Sequence, residues 1–323
     1  MPAILTHDFF GQDIYAAHSH VIGKSIDEKD AFLLGNQGPD PLFYLVLSPS
    51  MKQFFGLGSA MHHDAPSKLI AALKESLQVL EEHELPVGRA YALGFLCHYS
   101  LDRAMHPLVY CQQYAICDAG IDGLNRSQEN EVHAEIEREY DEMVLFSKLG
   151  RTIRSYRPFE EALHASEHTL QTIGKMYAFV AMKAYRTFPP VDLFVSAVHD
   201  FRRMQRLFYS PNGTMQSALN VIETRVLNRQ FSFYKSMSHR DNATRVSDFD
   251  NRMRHPWENP YTHEVSTQSF WDIFDGTKAI AFSAIEAFDK DDFDETAARA
   301  LTGSLNFSGQ PVEEAYRTKS VSR

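Results

Sequence analysis

The stretch GFLCHYSLDRAMHP, residues 94–107, sets His98, Asp102 and His106 four residues apart inside an otherwise apolar run. On a helix, steps of four keep side chains on one face, so the three polar groups form a ladder. Val87, Ala90, Tyr91, Leu93, Gly94, Cys97 and Leu101 supply the packing face of the same segment. Polar groups buried in such a helix are costly unless they find partners. Whatever this chain folds into must bring partners to that ladder.

The ladder is too long for one ion. Along a helix axis the Cα atoms of His98 and His106 are about 12 Å apart, whereas bonds from zinc to its ligands are only about 2.0–2.2 Å. The spacing therefore gives His98 to one ion and His106 to another, with the Asp102 carboxylate serving one ion or bridging two. A second pair at i and i+4, His133 and Glu137, sits on the next expected helix, from Glu129 to about Leu149. An antiparallel neighbour would carry it to His106. Taken alone, such a pair is commonly a hydrogen-bonded or solvated helix pair.

Helical periodicity extends through most of the chain, and alternating strand-like runs are scarce. Pro66 and Ser67 open a segment ending near Glu84, and Pro86 opens the ladder helix. Helices are also expected over Phe159–Phe188 and Val191–Tyr209, broken by Pro189-Pro190, and over 212–235 and 267–290. The fold class is all-α, with 1–323 as a single helical domain. Two regions resist a helical reading. Residues 22–61 are rich in Gly and Pro and read as loop with at most short helices. There, Asp40 in GNQGPDPLF is either a turn former or a carboxylate presented to a pocket by a rigid turn. Residues 236–262, SMSHRDNATRVSDFDNRMRHPWENPYT, form a long polar segment. Its Arg252, Arg254, His255 and Trp257 either line a substrate entrance, with Arg gripping phosphate, or belong to a solvated loop.

A net charge of −10 argues against a protein that holds a nucleic-acid backbone over a broad basic face. Three cysteines without CxxC spacing read as reduced and structural. No apolar run is long enough to cross a bilayer, and MPAILTHDFFGQ lacks the basic start and apolar core of a signal peptide, so the expectation is a soluble, cytoplasmic protein.

HYSLDRAMHP followed by HAEIE resembles the zinc-dependent phospholipase C family, which is itself similar to the zinc single-strand nucleases in helical fold and metal cluster. Thr6-His7-Asp8, LGNQGPDPLFY (34–44) and Met61-His62-His63 fit the same pattern in the same order. The resemblance implies that Asp40, His62, His98 and Asp102 surround one zinc, that His106, His133 and Glu137 hold a second, and that His7 with Asp102 holds a third. His62 is favoured over His63 because the family ligand directly follows a small or sulfur-containing residue.

Two departures mark this chain. The secreted phospholipases use the amino terminus of the mature chain as a ligand, whereas Met1 here precedes His7 by six residues. Their ladder is also longer between the acid and the second histidine, and the spacing here looks more like that of glycosylphosphatidylinositol-specific phospholipase D. The implied activity is hydrolysis of a phosphate ester, a phosphodiester or phospholipid head group, by two to three zinc ions. A water activated by the ions would attack phosphorus in line, with Asp40 orienting or deprotonating it. Two other classes stay open: a helical di-iron oxidative enzyme, although those usually carry Glu-x-x-His rather than His-x-x-x-Glu, and a non-catalytic, metal-stabilised binding protein.

Overall fold

The ladder segment belongs to the longest helix among the described residues. In the computed structural model, which describes residues 3–120, 124–153, 155–209 and 248–313, that helix runs from Leu85 to Cys117 and continues through Pro107. Among the described residues it is the fifth of eleven: α1 (Ile4–Ile22), α2 (Ile26–Gly35), α3 (Gly56–His63), α4 (Pro66–Glu75), α5 (Leu85–Cys117), α6 (Glu129–Leu149), α7 (Pro158–Glu161), α8 (Glu167–Tyr185), α9 (Leu193–Phe208), α10 (Phe270–Phe288) and α11 (Glu295–Thr302). The described chain is predominantly helical. Its one small sheet pairs β1 (Trp257–Glu258) antiparallel with β2 (Val265–Ser266). The expected helix over 212–235 and the first half of the polar stretch lie outside the described residues. None of the described helices is long and apolar enough to cross a membrane.

Local chemistry explains the boundaries that periodicity placed less well. The region 22–61 is far more helical than its glycines and prolines suggest. Ser25 and Glu28 close a capping box that starts α2, and 3-10 turns over Asp40–Leu47 and Pro49–Phe54 lead into α3. The segment from Pro66 leaves the α-helix at Glu75 for a 3-10 turn, Ser76–Val79. The expected 159–188 helix divides into α7 and α8, the second restarted by the Ser166 side chain accepting from the Thr169 N–H. Thr6, a residue type that often caps helices, does not cap the first one. It lies inside α1, where its N–H and hydroxyl both donate to Asp141 of α6, at 2.8 Å each.

α5 forms the axis of the core, with α2, α10, α6, α1 and α8 packed around it. Its closest neighbour is α2. A Cβ added to Gly94 would sit 2.0 Å from the Phe32 carbonyl oxygen, and one added to Gly35 would sit 2.3 Å from that of Tyr91. The two helices thus cross backbone to backbone, which presses the turn after α2 against the ladder. Arg89 locks the far end: its guanidinium grips Asp289 with two bonds of 2.6 Å and donates to the Val21 and Ile22 carbonyls at the end of α1.

The crossing yields a direct test. Gly94→Ala sets a methyl against backbone that cannot swing aside, and overpacking of this kind costs about 1–3 kcal/mol. The variant is expected to melt several degrees lower, and an unchanged Tm would contradict the packing.

Candidate metal centre

Five elements deliver eight side chains to one place. α1 brings His7, the turn after α2 brings Asp40, α3 brings His62, α5 brings His98, Asp102 and His106, and α6 brings His133 and Glu137. They fall into three groups in which the potential ligand atoms lie within 4.8 Å of one another: Asp40, His62 and His98; His7, His98 and Asp102; and His106, His133 and Glu137.

The distances suit coordination. Asp40 Oδ1 is 3.0 Å from His62 Nε2 and 3.9 Å from His98 Nε2. Asp102 turns one oxygen to His7 Nε2 at 3.0 Å and the other to His98 Nε2 at 3.3 Å. Glu137 Oε1 lies 3.2 Å from His133 Nε2 and 3.5 Å from His106 Nε2. Two ligands bonded at about 2.0–2.1 Å to one tetrahedral ion are separated by roughly 3.3 Å, so the observed separations bracket that value. His98 and His106 belong to different groups, as the length of the ladder requires. The sharing differs in detail from the sequence expectation: His98 is common to two groups, whereas Asp102 joins His7 rather than Asp40 and His62.

The outer faces of the rings show why a cation fits. Nδ1 of His62 lies 2.8 Å from the Gly58 carbonyl, that of His98 3.1 Å from the Asn36 carbonyl, and that of His106 2.8 Å from the Phe307 carbonyl. Nδ1 of His133 lies 2.8 Å from Gln113 Oε1. Carbonyl oxygens only accept, so each of these Nδ1 atoms carries the proton and donates it. In a neutral ring, Nε2 then aims a lone pair at a carboxylate that also has only lone pairs. Such a contact is stable only with a proton or a metal ion between the two. The buried His98 Nε2 has no hydrogen-bond partner among the described residues. Outward Nδ1 donation is also how ligating histidines are usually held.

Electrostatics follow the same lines. Burial would raise the Asp102 carboxyl, yet His98, His106 and His7 hold it well below the usual carboxylate range. Burial likewise acts to raise Glu137, and His133 and His106 help to hold it well below its usual value. Burial pushes His133 down. For His106 burial acts the same way, but Asp102 and Glu137 prevail and raise it to about 9.

The groups open on a cavity of about 380 Å³. His7, Asp40, His62, Asp102, His106, His133 and Glu137 line it together with Phe43, Ser59, His63, Tyr110, Gln113, Tyr114, Glu129, Asn130 and Ser308. His62 is the member of the histidine pair that enters a ligand group; His63 is exposed and turns its Nδ1 to the Ser59 carbonyl. The expected entrance residues stand elsewhere. Arg252 is held by Asp250 at 2.9 Å, Arg254 by Asp272 at 2.7 Å, and Trp257 donates to the Gln268 carbonyl at 3.0 Å. His255 is exposed, and its nearest carboxylate is Asp248 at 4.0 Å. None of the four lines the cavity.

The wall contains residues that sequence reading passed over. Tyr110 and Tyr114 extend the four-residue spacing of His98, Asp102 and His106 on the same helix, a signal present in the sequence. Ser308, two hundred residues from the ladder, gave none, and neither did Phe307, which stands behind the wall with its carbonyl on His106. Comparison with known proteins finds no matching family model, no matching curated protein and no matching solved structure.

Two outcomes follow from this geometry. Glu137→Gln should remove metal from the outer group, His106, His133 and Glu137, alone, whereas His98→Ala, which strips a donor from both inner groups, should remove metal there and spare the outer group. Elemental analysis of the purified variants reads this directly, and full retention by both would refute the grouping. In the metal-free protein His106 keeps its proton up to about pH 9. Metal must displace that proton, so apparent affinity at the outer group should rise about tenfold per pH unit until that value. Calorimetric titration in buffers of different ionisation heat should register proton release, and an affinity independent of pH would contradict the assignment.

Proposed function

We propose that this protein is a zinc-dependent phosphoesterase of the phospholipase C type, acting on a phosphodiester or phospholipid head group. The observation that carries this reading is the interlocking of three ligand groups along one cavity wall. Neighbouring groups share His98 or face each other across Asp102 and His106, whose Oδ2 and Nδ1 are 3.8 Å apart. A donor set of five imidazoles and three carboxylates suits zinc, and it is richer in histidine than a carboxylate-bridged di-iron site. When bound, divalent ions supply positive charge for a phosphoryl group and lower the pKa of water.

The side chains then divide the work. Three divalent ions would carry six positive charges, and Asp40, Asp102 and Glu137 offset three of them. The remaining charge favours an anionic substrate such as a phosphate ester. Asp40 lies at the cavity wall with one oxygen toward His62. On this reading it would orient the attacking water and accept its proton. Asp102, enclosed by three histidines, serves charge balance and ligand orientation. Phe43, Tyr110 and Tyr114 give the cavity apolar and aromatic wall against which the organic part of an ester can rest. The net charge of −10 disfavours a long nucleic-acid strand, which leaves a small soluble ester or a lipid head group.

The test is a substrate panel assayed on zinc-loaded protein: phosphomonoesters, phosphodiesters and phospholipids in mixed micelles. Hydrolysis of a diester or head group is expected, and Asp40→Asn should lower kcat by about 100-fold or more, the usual share of a general base. Inactivity of the loaded protein across the panel would favour a metal-stabilised binding protein. Iron with visible absorption in the purified protein would favour oxidative chemistry.

A further inference from the structure

The segment SLNFSGQP, residues 304–311, carries no ligating side chain, yet it touches both halves of the metal centre. Its sequence is turn chemistry: an asparagine three residues before a glycine, preceded by Gly303 at the end of α11 in the left-handed region. Asn306 Oδ1 accepts from the Ser308 N–H at 2.9 Å and the Gln310 N–H at 3.0 Å, and the Gly309 N–H donates to the Asn306 carbonyl at 2.9 Å. Gly309 has φ +72°, and a Cβ there would sit 2.7 Å from the Arg103 carbonyl and 2.9 Å from Pro107 Cγ. The turn is thus pressed onto α5 where Pro107 follows the ladder.

That docking sets Phe307 between the ligand groups. Its carbonyl accepts from His106 Nδ1 at 2.8 Å, and its N–H donates to the His62 carbonyl at 3.1 Å. Its buried ring lies 4.9 Å from the His62 ring and 5.7 Å from that of His98, centre to centre. Tyr99 secures the approach by donating to the Leu305 carbonyl at 2.7 Å. The next residue, Ser308, lines the cavity.

The geometry points to the Asn306–Gln310 turn as a positioning element of the metal centre, one that fixes the His106 tautomer through the Phe307 carbonyl and so tunes the outer group selectively. The inference rests on the reading of these groups as metal sites. The side chain of Asn306 holds the turn, the turn holds the carbonyl, and the carbonyl keeps the proton on Nδ1 so that Nε2 faces Glu137. Loss of such an outer partner typically weakens metal binding by roughly 10–100-fold.

The experiment titrates metal-free full-length protein with Co2+ and follows its ligand-field absorption, with His133→Ala marking the contribution of the outer group. Asn306→Ala is expected to bind Co2+ roughly 10–100-fold more weakly at that group alone, with the absorption of the inner groups unchanged. Asn306→Asp keeps the acceptor at the cost of a buried charge and should bind Co2+ at the outer group more tightly than Asn306→Ala. An Asn306→Ala titration identical to wild type, or one weakened equally at every group, overturns the inference. Should Asn306→Ala fail to fold, Gly309→Ala shifts the same turn without deleting a hydrogen-bonding side chain. The same selective loss is expected from it, and an unchanged titration again overturns the inference. Wild-type protein that takes up no Co2+ overturns the metal reading itself, a result distinct from either of the others.

Discussion

A carboxylate buried at the centre of an apolar helix governs this structure. Asp102 is 6% exposed and sits midway along α5. Left unpaired, such a charge costs several kcal/mol even after the surrounding protein relaxes. It is not left unpaired, because three imidazoles converge on it, two from its own helix and His7 from α1. The surrounding packing can be traced outward from this requirement. α1 is anchored to α6 by Asp141, and its Ile4 carbonyl accepts from Gln37, so His7 arrives at a fixed depth. α2 crosses α5 at two glycines, so the Asn36 carbonyl reaches His98 and Asp40 follows. Gly38 in that turn has no room for a side chain, since a Cβ would lie 2.1 Å from the His98 ring.

Much of the site was legible because helices convert spacing into geometry. His98, Asp102 and His106 at intervals of four had to share a face, and their length along the axis had to divide them between groups. His133 and Glu137 had to project together from α6. Asp40 and His62 were harder, since an aspartate between two prolines is also an ordinary turn residue; they were assigned only through the resemblance of the ordered motifs to a metal-dependent family. The polar stretch left two readings open, a substrate entrance and a solvated loop. In the structure Arg252 and Arg254 each pair with a nearby acid, Asp250 and Asp272, which spacing alone does not decide.

Other features had no sequence signal at all. Three of the four groups that accept from the ligand histidines are backbone carbonyls, of Gly58, Asn36 and Phe307, and every residue type has one. The first is local to α3, but the other two depend on contacts between distant parts of the chain. The helical content of residues 22–61 was hidden similarly. Ser25 and Glu28 were available as a capping signal, but glycine and proline density outweighed it, and the helix they start is stabilised mainly by its close crossing with α5.

The central claim is that the buried histidines and carboxylates face one another through divalent cations rather than through protons. Anomalous diffraction from crystals of protein purified without chelator, recorded on both sides of the zinc absorption edge, tests it most directly. Two or three peaks are expected, one between Asp40, His62 and His98, one between His106, His133 and Glu137, and the third, if occupied, beside His7 and Asp102. Crystals from zinc-supplemented protein with no anomalous peak among these residues, and with carboxylates and imidazoles in direct hydrogen-bond contact instead, would contradict it.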